Sequence, residues 1–90
     1  MRETINPDPE ALALNALVWV LSDDRRTERL IALTGLEGAE IRARLTDPSL
    51  LAAVLDFLGG HEPDLIACAQ ALGHSPEILI HARERLAPKN

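Results

Sequence analysis

The sequence predicts an all-α protein, a compact bundle of five or six short helices packed around a central, apolar first helix. Three observations carry that expectation. Ala11 to Leu21 reads Ala-Leu-Ala-Leu-Asn-Ala-Leu-Val-Trp-Val-Leu, in which only Asn15 is polar. At about 100° per residue its leucines, valines and Trp19 cover most of a helical wheel, so no single neighbour could enclose them. Apolar residues make up 47% of the chain with only Trp19 and Phe57 aromatic, a core of Leu, Ala, Ile and Val suited to helix packing rather than to strand faces. Proline, glycine and aspartate recur at intervals, with apolar residues at helical spacing between them.

The first helix starts at a cap-and-proline signal, with Asn6 as N-cap, Pro7 in the first position, and Asp8 and Glu10 in the first turn. Its apolar run of eleven is too short for a membrane span, which needs about 20 residues. Ser22-Asp23-Asp24 breaks the run and caps a second helix through Thr34, closed by Gly35, with Leu36 folding back on Ile31 in a Schellman arrangement. A third, short helix covers Gly38 to Leu45, with Ile41 and Leu45 inward and Arg42 and Arg44 outward. Its start is weak because Glu37 is a poor cap. Asp47-Pro48 restarts the chain into a fourth helix. That helix gathers Leu50, Leu51, Val54, Leu55, Phe57 and Leu58 on one face, places Ala52 and Asp56 opposite, and stops at Gly59-Gly60. The fifth begins near Pro63, spaces Leu65, Cys68, Ala69 and Leu72 at i, i+3, i+4, i+7, and closes at Gly73. Ser75-Pro76 opens the sixth, which runs to Leu86 with Ile78, Leu79, Ala82 and Leu86 inward.

Ninety residues bound one helical domain, residues 1–90. The net charge of −5, from 14 acidic and 9 basic side chains, weighs against nucleic acid and anionic membrane, because phosphate binding needs a basic face. The single cysteine, Cys68, excludes an internal disulfide and fits a reducing compartment. The amino terminus lacks the apolar stretch of a signal peptide, so a cytoplasmic location is expected.

The sharpest local pattern is Cys68-Ala69-Gln70-Ala71-Leu72-Gly73-His74-Ser75-Pro76-Glu77-Ile78-Leu79. A small residue four before a turn glycine and an apolar one six after it resemble a DNA-binding helix-turn-helix over residues 68–86. Any tight helical corner needs the same residues, however. The second helix would offer DNA Ser75, Pro76, Glu77, Ile80 and His81, with no cation at its start. Ile80 is the odder residue. It points away from the inward face, beside Pro76, Glu77, Arg83 and Glu84; alone it is an ordinary exposed isoleucine, and it marks a partner surface if Ala52 or Ala67 extends it into a patch. His61, His74 and His81, with Cys68, Asp56, Glu62 and Asp64, show no His-x-x-x-His or Cys-x-x-Cys ligand spacing. Cys68 has no arranged base. Phosphate loops, nucleophile elbows and framed carboxylate pairs are missing as well. No catalytic residue, metal ligand or cofactor site is therefore assigned.

Four segments together resemble a known family: Ala11-Leu12-Ala13-Leu14-Asn15-Ala16-Leu17-Val18-Trp19, Leu30-Ile31-Ala32-Leu33-Thr34-Gly35-Leu36, Leu51-Ala52-Ala53-Val54-Leu55-Asp56-Phe57-Leu58 and Ala82-Arg83-Glu84-Arg85-Leu86. The chain is similar, from about Asp8 to Pro88, to the short proteobacterial proteins of domain of unknown function 3572. That resemblance implies a small cytoplasmic helical protein and transfers no catalytic residues. The expected function is a non-enzymatic protein-interaction or regulatory module, acting on a protein partner or by self-association. The alternative is DNA binding through residues 68–86.

Overall fold

The computed structural model describes residues 8–86, which form six helices: α1 (Pro9–Leu21), α2 (Asp24–Thr34), α3 (Gly38–Ala43), α4 (Pro48–Gly59), α5 (Glu62–Leu72) and α6 (Pro76–Leu86). The all-α bundle expected from the sequence is the fold observed.

α1 is the hub. It packs most extensively on α4 and α6 and also touches α2 and α5. Leu12, Leu17 and Val20 are buried, and Ala13 and Ala16 are fully so. Those two alanines, three apart on one face, put only methyl groups between α1 and its neighbours. α4 contributes the largest block of core, with Leu50, Leu51, Val54, Leu55, Phe57 and Leu58 all buried. Leu65, Cys68 and Ala69 of α5 and Leu79 and Ala82 of α6 complete it.

Three details differ from the sequence expectation. The helix start at Asn6-Pro7 lies outside the described residues; α1 begins at Pro9, with the Asp8 carboxylate accepting from the Ala11 amide at 2.9 Å. The exposed stripe of α1 is wider than Asp8, Asn15 and Ser22. Ala11, Asn15, Val18 and Ser22 share it, and Val18 is 61% exposed. α3 ends at Ala43 rather than Leu45, and Arg44 does not point freely outward. Its Nε donates to Asp47 Oδ2 at 2.9 Å and closes the turn into α4. α3 is held mainly by the buried Ile41, and Glu40 compensates for the poor cap by accepting from the Glu37 amide at 3.1 Å.

The two positive-φ glycines end helices in different ways. At Gly73 (φ 78°) the His74 amide reaches back to the Ala69 carbonyl and the Gly73 amide to Gln70, a Schellman closure. At Gly35 (φ 73°) only the Gly35–Ile31 bond forms. The Leu36 amide donates instead to the Thr34 hydroxyl at 3.3 Å. The expected Schellman arrangement is therefore replaced by the simpler left-handed cap, because a side-chain acceptor one turn nearer captures its outer donor.

Candidate functional site

Two surface regions gather chemistry-bearing side chains, and they differ in how far the protein already satisfies them. The first lies between α2 and α5. Asp23, Arg25, Arg26, Glu28, Arg29, Ala32, His61 and Asp64 line a groove of about 620 Å³. Arg29 forms an ion pair with Asp64 that ties α2 to α5, and His61 Nδ1 lies 2.9 Å from the same carboxylate. The guanidinium carbon of Arg29 also stands 5.7 Å above the Phe57 ring. Asp23 is occupied as the α2 cap, accepting from the Arg26 amide at 3.0 Å. The Arg26 guanidinium stacks on Trp19 with its central carbon 3.7 Å from the ring centroid, an attraction that grows as the cation loses water. Arg26 Nε is buried without a protein acceptor among the described residues. Trp19, expected in the core, is thus half-buried under an arginine. Three arginines here face three carboxylates, and one ion pair between them, Arg29–Asp64, is made. The Arg29–Asp64 pair joins α2 to α5, and the Arg26 stack on Trp19 joins α2 to α1.

The second region is the outer face of α6. Glu77, Ile78, Ile80, His81 and Glu84 line a shallow groove of about 510 Å³. α6 is a firm platform, because Leu79 and Ala82 root its opposite side in the core. Ile80 is 38% exposed. Its Cδ1 reaches over the end of α4, so that a Cβ placed on Gly59 would lie 3.5 Å from it. The isoleucine is therefore braced from below while its upper side stays open. None of the four ion pairs among the described residues involves Glu77 or Glu84, and both are exposed.

Of the residues singled out in the sequence, the groove brings together Ile80, Glu77 and Glu84. Pro76 and Arg83 do not line it. Arg83 turns back to Asp56 on α4, whose carboxylate holds the guanidinium further into its charged form. Ala52 and Ala67 do not extend the patch either; Ile78 and His81 do. Their inclusion follows from helical geometry, since 77, 80, 81 and 84 fall on one stripe at i, i+3, i+4, i+7. Ile78 sits at its edge, half in the core.

A profile for the family described as Protein of unknown function (DUF3572) matches residues 6–89. The chain belongs to this family. The match covers α1 to α6 entire, so both grooves lie within the family's own domain rather than in an addition to it. No curated protein and no solved structure matches the chain.

The remaining candidates fall into place around these grooves. Cys68 is fully buried on α5, and that burial pushes its thiol up to about 11, away from the thiolate form a nucleophile or ligand needs. His61, His74 and His81 stand apart, and no group of three or more His, Cys, Asp or Glu able to hold a metal occurs among the described residues. α5 and α6 do make a helix-Gly-helix corner, with Ala69 fully buried at the contact. Among the described residues no helix is long and apolar enough to cross a membrane.

Proposed function

We propose that the chain is a non-enzymatic protein-interaction or regulatory module that works through the outer face of α6. The observation that carries this reading is Ile80. It is a branched apolar side chain, braced against α4, rooted through its helix in the core, and left open beside two carboxylates without ion-pair partners. An apolar residue held rigid and dry on one side gains binding energy when the other side is covered, with little ordering cost. At the α2 and α5 groove, by contrast, Arg29 and Asp64 are engaged with each other and Arg26 with Trp19 in contacts between helices. The helix-turn-helix alternative draws little support from the same face, where Glu77 and Glu84 would meet phosphates.

The test compares capture of proteins from an extract of the source cells by the wild-type chain, by Ile80→Glu and by Leu33→Glu. Leu33, on α2, is 67% exposed and far more open than Ile80, so it controls for surface stickiness. The expected result is a discrete protein retained by the wild type and Leu33→Glu and lost by Ile80→Glu, with all three equally helical. Equal retention by all three, or retention by none, overturns the proposal.

A further inference from the structure

We propose that the α6 groove takes a basic amphipathic helix, one that carries Lys or Arg at positions i and i+7 with an apolar residue between them at i+3 or i+4. The inference rests on the reading of α6 as the interaction face and adds the partner's chemistry.

Charge decides against a second copy of the chain. The groove is lined by Glu77, Ile78, Ile80, His81 and Glu84, so its charged groups are two carboxylates with no lysine or arginine among them. Seating Ile80 of one copy on Ile80 of another leaves two arrangements. Parallel helices place Glu77 on Glu77 and Glu84 on Glu84. Antiparallel helices bring Glu77 of each chain alongside Glu84 of the other. Both set carboxylate against carboxylate across a contact that excludes water, where like charges disfavour association. Of the neighbouring cations, Arg83 is held by Asp56 and Arg85 lies outside the groove lining. A partner with cations at those two points removes the repulsion and supplies two ion pairs.

The spacing and the backbone set the rest. Glu77 and Glu84 are seven residues apart, about 10.5 Å along the helix axis at 1.5 Å per residue. A partner helix lying along α6 repeats that distance at its own i and i+7, and its i+3 or i+4 side chain falls over Ile80. A strand partner would need a sheet edge to satisfy its backbone. The described residues form helices only, so the partner must satisfy its own hydrogen bonds, as a helix does.

The probe is a fluorescein-labelled synthetic helix of about four turns with that Lys-apolar-Lys spacing, read by fluorescence anisotropy against the full chain. A peptide of identical composition in scrambled order and one with each Lys replaced by Glu serve as controls. Saturable binding of the patterned peptide is expected, at least tenfold tighter than of the scrambled one. Glu77→Gln/Glu84→Gln, whose exposed changes leave the core intact, should weaken it roughly 2- to 30-fold, the range expected for two exposed ion pairs. Added salt should weaken wild-type binding toward that of the double variant. Equal binding of patterned and scrambled peptides, or no effect of the double substitution, overturns the inference. A second arm separates its failure from that of the broader reading. If light scattering shows concentration-dependent dimers abolished by Ile80→Glu while the peptide does not bind, the face is an interface for a second copy and only the partner chemistry is wrong. If the chain stays monomeric, the peptide does not bind, and extract capture ignores Ile80→Glu, both fall.

Discussion

Leu17 and Val18 are adjacent, similar in chemistry, and both within the apolar run of α1, yet the structure assigns them opposite fates. Leu17 is fully buried and Val18 is 61% exposed. Leu17→Ala removes three carbons from the helix that packs on α2, α4, α5 and α6. Loss of transfer energy plus the residual cavity makes such a change cost about 2–5 kcal/mol. A domain of this length holds roughly 5–13 kcal/mol in total. At about 4–8 °C per kcal/mol, a mid-range loss of about 3 kcal/mol lowers the melting temperature by roughly 12–24 °C. Val18→Ala removes two carbons mostly from water and substitutes the better helix former, so its effect should stay within about 0.5 kcal/mol. Urea unfolding followed by helical circular dichroism measures both, and an unchanged slope confirms that stability alone has moved. Should Val18→Ala cost as much as Leu17→Ala, α1 is not rotated with Leu17 inward and Val18 outward, and the packing described for it is wrong.

Three further outcomes are expected. Gly59 has an ordinary helical backbone, and an added methyl there would meet Ile80 Cδ1 in normal contact. Gly59→Ala should therefore stabilise by about 0.5–1 kcal/mol, whereas Gly73→Ala, at φ 78°, should cost about 1–2 kcal/mol; the same unfolding curves decide both. Cys68, with its thiol pushed up by burial, should resist a disulfide-exchange reagent in the native protein at neutral pH and react at once in denaturant. Rapid native reaction would contradict its burial. Asp47 is held below the ordinary carboxylate value, first by the Ser49 amide and then by Arg44. Its stabilisation is fully present above 3.8 and is lost as pH falls through the lowered folded value. Asp47→Asn keeps a cap but cannot titrate, so its stability should fall less between neutral and acidic pH than that of the wild type. Parallel pH profiles would refute the assignment.

Element boundaries are legible in the sequence where backbone chemistry is local. Asp47-Pro48 and Ser75-Pro76 start helices, and Gly35 and Gly73 end them, because caps and positive-φ turns depend on residues within one turn. The start of α1 is ambiguous for the same reason. Asn6-Pro7 and Asp8-Pro9 are equivalent cap-and-proline pairs two residues apart, and the described chain uses the second. The rotation of α1 cannot be read from its residues, because a helix apolar on nearly every side gives no direction of greatest hydrophobicity. The four neighbours decide which stripe stays open, and Val18 shows their choice. Thr34 explains a smaller difference, as a hydroxyl bond to the Leu36 amide is as local as the Schellman bond it displaces. At the α6 face, Glu77, Ile80 and Glu84 are visible from helical spacing alone. The pairing of Arg83 is not, since its partner Asp56 lies 27 residues away and meets it only because α4 packs on α6. The stacking of Arg26 on Trp19 is hidden similarly, because it requires the angle between α1 and α2.

The proposed division of labour makes the interior scaffold and the outer face of α6 the contact with a partner. Backbone amide NMR shifts, followed while the patterned basic peptide is titrated into the full chain, put that division to the test. Saturable shifts are expected to be confined to about Glu77–Arg85 and the end of α4 beneath Ile80, with α2 and the first turn of α5 unmoved. Shifts centred on Arg25, Arg29 and His61, or spread evenly through the core, would contradict it.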